Sequence, residues 1–249
     1  MKILFANFNK QKYLFFAFFF ILAIVISLPK PSLAPTSKPK PTPVTGSNPI
    51  PTPTSIPAKH LIKTAFVPQA PEKNWDQPWQ DSCEEAALLT VHYYYQNQNP
   101  DIVTIVTDIQ NMIDYENQNQ LTKDVNLDQM AQIAAQYLSY QTEIISNPTL
   151  DQIKSYLLSD IPIIIPANGK QLFAENHFFT NGGPFYHNLV ILGYDDKKQQ
   201  FTVHDVGTQH GAYFKYSYRL LLDSIHDFPA SGHKEDINSG AKNILILLQ

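Results

Sequence analysis

Apolar residues recur at helical spacing through the first part of the main body of the chain. Residues 82–97 fit a helix, and Ser82 with Glu85 three positions later matches the S-x-x-E signature of a capping box. The same period predicts three further helices, at residues 101–116, 126–140 and 149–160. In the first of these three, β-branched residues oppose the helical pattern.

After residue 160 the pattern changes from helical to extended. The run IPIIIPA, residues 161–167, is typical of a buried strand. Residues 187–205 hold two apolar runs on either side of a polar turn, which predicts a β-hairpin. Two further strands are predicted at 212–218 and 243–249. Helices followed by an antiparallel sheet indicate an α+β domain.

The start of the chain has a different pattern. An uncharged apolar run at residues 13–28 follows three lysines, which is typical of an export signal. The run is shorter than the ~17–25 residues of most membrane-spanning helices. A small-x-small site lies at 32–34, but Pro35 follows it. We therefore predict that 1–28 is a cleaved signal or an uncleaved membrane anchor, and that the remainder lies outside the cytoplasm.

The segment that follows, residues 29–59, is rich in proline, threonine and serine. Ten of the chain's 19 prolines lie between Pro29 and Pro57. Proline fixes its own φ angle and lacks an amide donor, so this composition opposes both helices and strands. We predict an extended, semi-rigid spacer that joins the N-terminal segment to a folded domain at residues 60–249.

Composition narrows the possible functions of that domain. The chain has 249 residues, of which 43% are hydrophobic and 16% charged, and its net charge is −4. No basic stripe stands out, so we expect no nucleic-acid partner. His204 and His210 lack a cysteine or a second acidic cluster at ligand spacing, so we predict no metal site. No cofactor is predicted either.

Cys83 is the only cysteine in the chain, so it cannot form an intramolecular disulfide. It is either a small buried residue or a reactive thiol. As the first residue of a predicted helix, it would lie beside unpaired amides and the positive end of the helix dipole, which stabilise a thiolate. Glu84 and Glu85 oppose that effect. A reactive Cys83 therefore needs a cationic partner.

The predicted hairpin offers such a partner. If its turn is centred on Asp196, His187 and Asp205 lie directly opposite each other. Asp205 could then hold one imidazole nitrogen of His187 and leave the other for the Cys83 thiol, as in a catalytic triad. The alternatives are a strand-end histidine bonded to backbone and an aspartate that serves a turn.

Three stretches carry a resemblance to a known family: FVPQAPEKNWDQPWQDSCEEAALL, GPFYHNLVILGYD and FTVHDVG. They resemble the papain-like peptidases of cysteine-peptidase family 39, which include bacteriocin-processing enzymes that cut after a double glycine. The similarity covers most of residues 60–249. It implies a papain-like α+β fold and a peptide or protein substrate. It also implies that Cys83 is the nucleophile, His187 the base and Asp205 the residue that orients the base.

The sequence departs from the bacteriocin-processing members at three points. Glu84 stands where those members have glycine, and Val206 where they often have proline. They are usually cytosolic domains of a transporter, whereas this domain is predicted to be exported. Cleavage after a double glycine is therefore not expected, even where the thiol chemistry is the same.

Papain-like enzymes also place a glutamine upstream of the cysteine to bind the developing oxyanion. Gln77 has the usual spacing, six residues before Cys83, and is the preferred candidate. Gln69 fits the family's N-terminal motif better and is the alternative. Gln80 is a third candidate.

The main functional prediction is an exported or membrane-tethered cysteine peptidase. Two alternatives stay open. One is a catalytically inactive papain-like module that binds peptide or cell-wall ligands. The other is an acyl transferase that uses the same triad but passes the acyl group to an amine.

Overall fold

The computed structural model of the chain describes residues 56–121 and 123–249. The predicted signal or anchor, 1–28, lies outside the described residues, as does the predicted spacer up to residue 55. The first described strand begins at Lys59. No helix within the described part is long and apolar enough to cross a membrane.

Within the described residues, four helices of two or more turns precede or interrupt the sheet, and all four were predicted. They are α1 (Cys83–Tyr95), α2 (Ile102–Gln118), α3 (Leu127–Gln136) and α4 (Leu150–Leu158). Two shorter helices, α5 (Gly169–Leu172) and α6 (Tyr218–Ser224), follow later. Short 3-10 turns lie at Trp79–Asp81 and Lys234–Ser239.

The strands form one antiparallel sheet, so the fold class is α+β, as predicted. They are β1 (Lys59–Leu61), β2 (Gln141–Ser146), β3 (Ile163–Asn168), β4 (Tyr186–Asp195), β5 (Gln200–His204), β6 (Phe214–Ser217) and β7 (Asn243–Leu248). Their spatial order is β2-β7-β3-β4-β5-β6, and β1 pairs with the end of β4. The sequence pattern did not predict β2, which follows directly on α3.

Helix α1 is the central helix of the domain and packs against β4. Ten of its 13 residues are buried, including both glutamates that follow Cys83. A helix that is buried on nearly every side needs apolar residues all round, and AALL and VxY supply them here. The buried helix therefore brings Cys83, its first residue, into the interior.

The capping box predicted at Ser82 is wrong. The Ser82 hydroxyl donates to the Pro78 carbonyl at 3.0 Å and accepts no helix amide. The reason is local, because the 3-10 turn at Trp79–Asp81 runs straight into α1 and leaves Ser82 outside the extended conformation of an N-cap. Complete capping boxes occur instead at the starts of α3 and α4.

The hairpin is present, but its predicted register is wrong. Val190, not His187, pairs nearest the end of β5, opposite His204. A bulge between Ile191 and Gly193 then shifts the rest of the ladder. In the observed register, Asp205 is therefore displaced by two positions from His187, which the predicted register places directly opposite it. A shift of two positions keeps a side chain on the same face of a sheet, so His187 and Asp205 can still meet.

The packing of β3 predicts a large effect of truncating its central residue. Ile164 is fully buried and pairs with Val190 on one side and Leu245 on the other. We expect Ile164→Ala to lower the free energy of unfolding by about 2–5 kcal/mol, because it leaves a cavity in the core.

Urea unfolding of the purified chain measures this effect. The control is Val103→Ala on α2, where the side chain is 72% exposed and the expected change is within about 0.5 kcal/mol. Equal effects of the two substitutions would contradict the described core.

Candidate active site

Cys83 and His187 line the same cleft. Its volume is about 660 Å³. Cys83 enters it from the first turn of α1 and His187 from the beginning of β4. Both side chains are almost completely buried, at 6% and 1% exposure. The structure thus brings together the nucleophile and base implied by the resemblance, although they are 104 positions apart in the chain (187 − 83).

The third residue implied by the resemblance holds the imidazole. Asp205, one residue beyond β5, contacts His187 Nε2 through its Oδ1 atom at 2.8 Å. With Nε2 occupied by a carboxylate, His187 Nδ1 is the ring nitrogen left for a thiol proton. This is the geometry that the predicted triad requires of its orienting residue.

The Asp205 carboxylate is itself held by four donors. Oδ1 accepts from His187 and, at 3.2 Å, from the Gly207 amide. Oδ2 accepts from the Tyr216 hydroxyl at 2.6 Å and from Asn176 Nδ2 at 2.9 Å. Burial raises the pKa of Asp205, but the charge of His187 and these hydrogen bonds outweigh it, so the pKa lies below its ordinary value.

The sequence analysis missed Asn176 and Tyr216. Tyr216 lies on β6, which pairs with β5, so the predicted strand at 212–218 was the available signal. Asn176 lies in an irregular segment between α5 and β4, and its sequence gives no periodic signal. Its amide also donates to the Tyr216 hydroxyl, at 3.0 Å, so the two residues bind Asp205 as a unit.

Gly207 and Phe179 enclose the imidazole of His187. The Phe179 ring meets it edge-on at 5.4 Å between centroids. A Cβ atom on Gly207 would lie 2.6 Å from His187 Cε1 and 3.0 Å from Nε2. Glycine is therefore needed at 207, because any side chain would displace the ring.

Gln77, the preferred oxyanion candidate, lies outside the cleft. Its side chain is exposed, its Nε2 donates to Asp81 at 2.7 Å, and its Oε1 accepts from Lys123. It lines a separate cavity on the other side of the 79–81 turn. That turn separates Gln77 from Cys83, so a spacing of six residues does not direct this side chain to the thiol.

Gln69 and Gln80 both line the cleft, but in different roles. The buried Gln69 donates both amide hydrogens to the carbonyls of Trp79 and Gln80, at 3.1 and 3.0 Å. It therefore fixes the turn ahead of Cys83 and has no donor left for a ligand. The Gln80 backbone N–H donates to the Asp76 carbonyl at 3.3 Å, but its side-chain amide has no hydrogen-bond partner within the described residues. The side-chain NH₂ therefore remains available to a group bound in the cleft.

Comparison with known proteins shows the family of the chain. The model of the Peptidase_C39 like family matches residues 63–224, which include all three triad candidates. The chain belongs to this family. No curated protein matches it significantly. One similar solved structure is described as a C39-like peptidase from Bacillus anthracis; it is 15% identical, with a TM-score of 0.33. The similarity covers 50% of this chain and 60% of that one.

Membership of the C39-like family indicates a function of the cysteine-peptidase type and an α+β peptidase fold. The family match begins after β1 and ends with α6, so it spans α1 to α6 and leaves out β1 and β7. The 3-10 turn, α1, β4 and β5, which carry the candidate site, all lie inside it.

The surroundings of Cys83 in this C39-like domain favour the thiol over the thiolate. Its Sγ donates to Glu84 Oε2 at 2.9 Å, and the Asn188 amide contacts Sγ at 3.9 Å. Burial raises the pKa of Cys83 most, and the charge and hydrogen bond of Glu84 raise it further, against the effect of Asn188. The stabilisation expected from the helix end is therefore outweighed in the free protein.

The two histidines considered as metal ligands have other partners. His204 is buried, its Nδ1 accepts from the Tyr213 amide at 3.0 Å, and burial lowers its pKa to about 4. His210 stacks on Phe178 at 4.2 Å and lines the cleft. Within residues 56–121 and 123–249, no group of three or more histidine, cysteine or acidic side chains could hold a metal ion.

The Asp205 network predicts a pH-dependent contribution to stability. A carboxyl whose folded pKa is depressed stabilises the fold above its unfolded pKa of about 3.9, and this contribution is lost as the pH falls through the folded value. We expect Asp205→Asn to cost at least about 1.5–3 kcal/mol at pH 7, because hydrogen bonds to a charge are lost. The difference from wild type should shrink below about pH 3.9.

Urea unfolding between pH 3 and pH 7 checks this expectation. Asp223→Asn is the matched control, since Asp223 is exposed and its ion pair with Arg219 should contribute only about 0–1 kcal/mol. A cost of Asp205→Asn that stays constant over the whole pH range would contradict the depressed pKa.

Proposed function

We propose that this chain is a cysteine peptidase in which Cys83 is the nucleophile and His187 the general base. One observation carries the proposal: Cys83 and His187 line the same cleft, while Asp205 holds Nε2 of His187 and leaves Nδ1 without a carboxylate partner. An inert buried cysteine would need no oriented imidazole in its cleft. Membership of the C39-like family supports the same chemistry.

The chemistry proceeds in two halves. His187 Nδ1 accepts the Cys83 proton as Sγ attacks the carbonyl carbon of a peptide, and the Gln80 amide donates to the oxygen that gains charge. The tetrahedral intermediate collapses, the C–N bond breaks, and the imidazolium gives its proton to the departing amine. Water then attacks the acyl-thioester with His187 as base. The C–S bond breaks, the acid leaves, and the thiol is restored.

The cleft walls favour a substrate with bulky apolar side chains. Trp75, Phe178 and Phe185 line the cleft and are 41%, 54% and 37% exposed. Large apolar side chains left open to solvent in a cleft mark a surface that a ligand covers. We propose peptides with aromatic or large aliphatic residues beside the cleaved bond as the substrate class.

The site of action proposed for the enzyme is outside the cytoplasm. The charged and then apolar start of the chain, 1–28, would direct export, and the proline-rich segment, 29–59, would hold the domain away from the membrane. The membrane is then a partner through the N-terminal segment alone.

A second candidate is a module that binds peptides without cleaving them. The contact from Cys83 to Glu84 favours it, because a carboxylate at 2.9 Å opposes the thiolate. An acyl transferase with the same triad would share the first half of the reaction and use an amine in place of water. Product analysis separates these candidates.

Peptide hydrolysis tests the proposal directly. Incubation with a mixture of synthetic peptides rich in phenylalanine, leucine and tryptophan, followed by mass spectrometry, should reveal cleavage by the wild type. Cys83→Ala and His187→Ala should each lower the rate at least about 10³-fold, as removal of a triad residue does. His226→Ala is the matched control, a buried histidine bonded to the Gly240 carbonyl, and should cleave at nearly the wild-type rate.

Three outcomes would count against the proposal. Unchanged cleavage by Cys83→Ala would exclude the nucleophile. Peptides that bind to the wild type and to Cys83→Ala alike, with no cleavage by either, would establish the binding module. New amide products in the presence of an added amine, in place of free acids, would establish acyl transfer.

A further inference from the structure

Glu84 connects the nucleophile to a wall of the cleft. Its Oε2 accepts the Cys83 S–H at 2.9 Å, and its Oε1 accepts the Val125 amide at 3.2 Å. The side chain is 1% exposed, so both contacts lie in the interior. A carboxylate so placed touches the atom that would react, yet has no part in the Cys–His–Asp arrangement.

The backbone that holds Glu84 belongs to the cleft. The Val125 carbonyl accepts the Tyr186 hydroxyl at 2.9 Å, and Tyr186 lines the cleft one residue before His187. Asp124, the neighbour of Val125, also lines the cleft and lies 3.9 Å from Lys234. A ligand in the cleft therefore contacts the segment that orients Glu84.

We propose that Glu84 is a further catalytic residue, which controls the proton of the Cys83 thiol. As a carboxylate it accepts the S–H hydrogen and holds Cys83 as a thiol. As a carboxylic acid it donates its own O–H to Sγ, so the thiol proton can pass to His187 and the thiolate stays hydrogen-bonded. The transfer turns Sγ into a thiolate and His187 into an imidazolium, so protons balance between them while Glu84 stays neutral. The earlier change of Glu84 from carboxylate to acid takes one proton from solvent. The catalytic role rests on the proposed function, whereas the control of the thiol proton does not.

Several other titratable groups surround this pair. Those on the elements packed against it are Glu85 on α1, Glu116 on α2, Asp124 before α3, Tyr186 and His187 on β4, and Asp227 after α6. Burial raises the pKa of Glu84 most, the Cys83 hydrogen bond lowers it, and the charges of Asp124 and Glu116 raise it again. The net result is a raised pKa, so Glu84 protonates at a higher pH than an ordinary glutamate.

The sign of the pH dependence follows from this environment. Below the raised pKa of Glu84, the acid form supports a thiolate beside His187. Above it, the carboxylate opposes the thiolate. Wild-type turnover should therefore fall as the pH rises through the raised pKa of Glu84, and Glu84→Gln, which keeps a neutral donor next to Sγ, should extend turnover to higher pH.

Alkylation of Cys83 by iodoacetamide in the purified full chain is the direct test. Because the chain has one cysteine, every adduct reports on this thiol. Glu84→Gln should lower the midpoint of the pH–rate curve by about one unit or more, the effect of removing a like charge in contact. At pH 7 the alkylation rate should rise about threefold for each pH unit by which the midpoint falls. The thiolate becomes tenfold more abundant, but its lower nucleophilicity offsets part of that gain.

Glu85→Gln is the matched control. Glu85 is buried in the same helical turn, but its Oε2 has no hydrogen-bond partner within the described residues, and it does not bond Sγ. It should move the midpoint clearly less than Glu84→Gln. A Glu84→Gln midpoint that is unchanged, raised, or equal to that of Glu85→Gln would overturn the proposal.

A measurement on the wild type covers the case in which Glu84→Gln does not fold. The S–H stretching band in the Raman spectrum belongs to Cys83 alone. On the alkaline side of the Glu84 titration it should be present, and at lower frequency than in the urea-unfolded chain, because the thiol then donates to a carboxylate. A missing band, or one at the unfolded frequency, would overturn the proposal. Neither test needs peptide cleavage, so failure of the proposed function would leave them interpretable.

Discussion

The buried Asp205 carboxylate is the constraint on which the rest of the site depends. An ionised carboxylate taken out of water is stable only when its oxygens are hydrogen-bonded, and Asp205 has four donors. These donors come from β4, β6, the segment after β5 and the segment after α5. The orientation of His187 is thus a consequence of the whole C-terminal half of the sheet.

Close backbone packing protects this arrangement and explains two glycines. A Cβ on Gly211 would lie 1.7 Å from the Asp205 carbonyl oxygen, and one on Gly207 would strike His187. The Gly211 carbonyl accepts the Asp205 amide at 3.0 Å, so the loop after β5 folds back on the aspartate. Glycine at both positions lets the backbone approach the triad candidates closely, which no side chain would permit.

The two glutamates at the start of α1 impose a second requirement on the proposed chemistry of this C39-like domain. A nucleophilic thiol needs a lowered pKa or an adjacent base, while Glu84 and Glu85 place negative charge at the same helix end. An oriented His187 and a protonated Glu84 would satisfy both requirements together. One of the two glutamates that weaken an argument from the helix dipole, Glu84, therefore becomes part of the proposed chemistry.

The sequence predicted those features that local patterns control. Helical period located α1 to α4, and the apolar runs located β3, β4 and β5. Features that depend on contacts between distant positions in the chain were not predicted. The bulge in β4 shifted the hairpin register, and the 79–81 turn carried Gln77 away from the cleft. Asn176, which lies in an irregular segment, reaches Asp205 from 29 positions away. Strand β2 was missed because its partner, β7, is the last strand of the chain.

The most direct test of Cys83 as a catalytic nucleophile compares the rate of its chemical modification in the folded and in the urea-unfolded chain. The reagent is a peptidyl fluoromethyl ketone with a bulky apolar side chain, and intact mass spectrometry at one pH gives the two rates. Faster modification of the folded chain, lost in His187→Ala, is the expected result, because binding in the cleft presents the reagent to an activated thiol. Slower modification of the folded chain, independent of His187, would show that Cys83 is a buried residue without catalytic function.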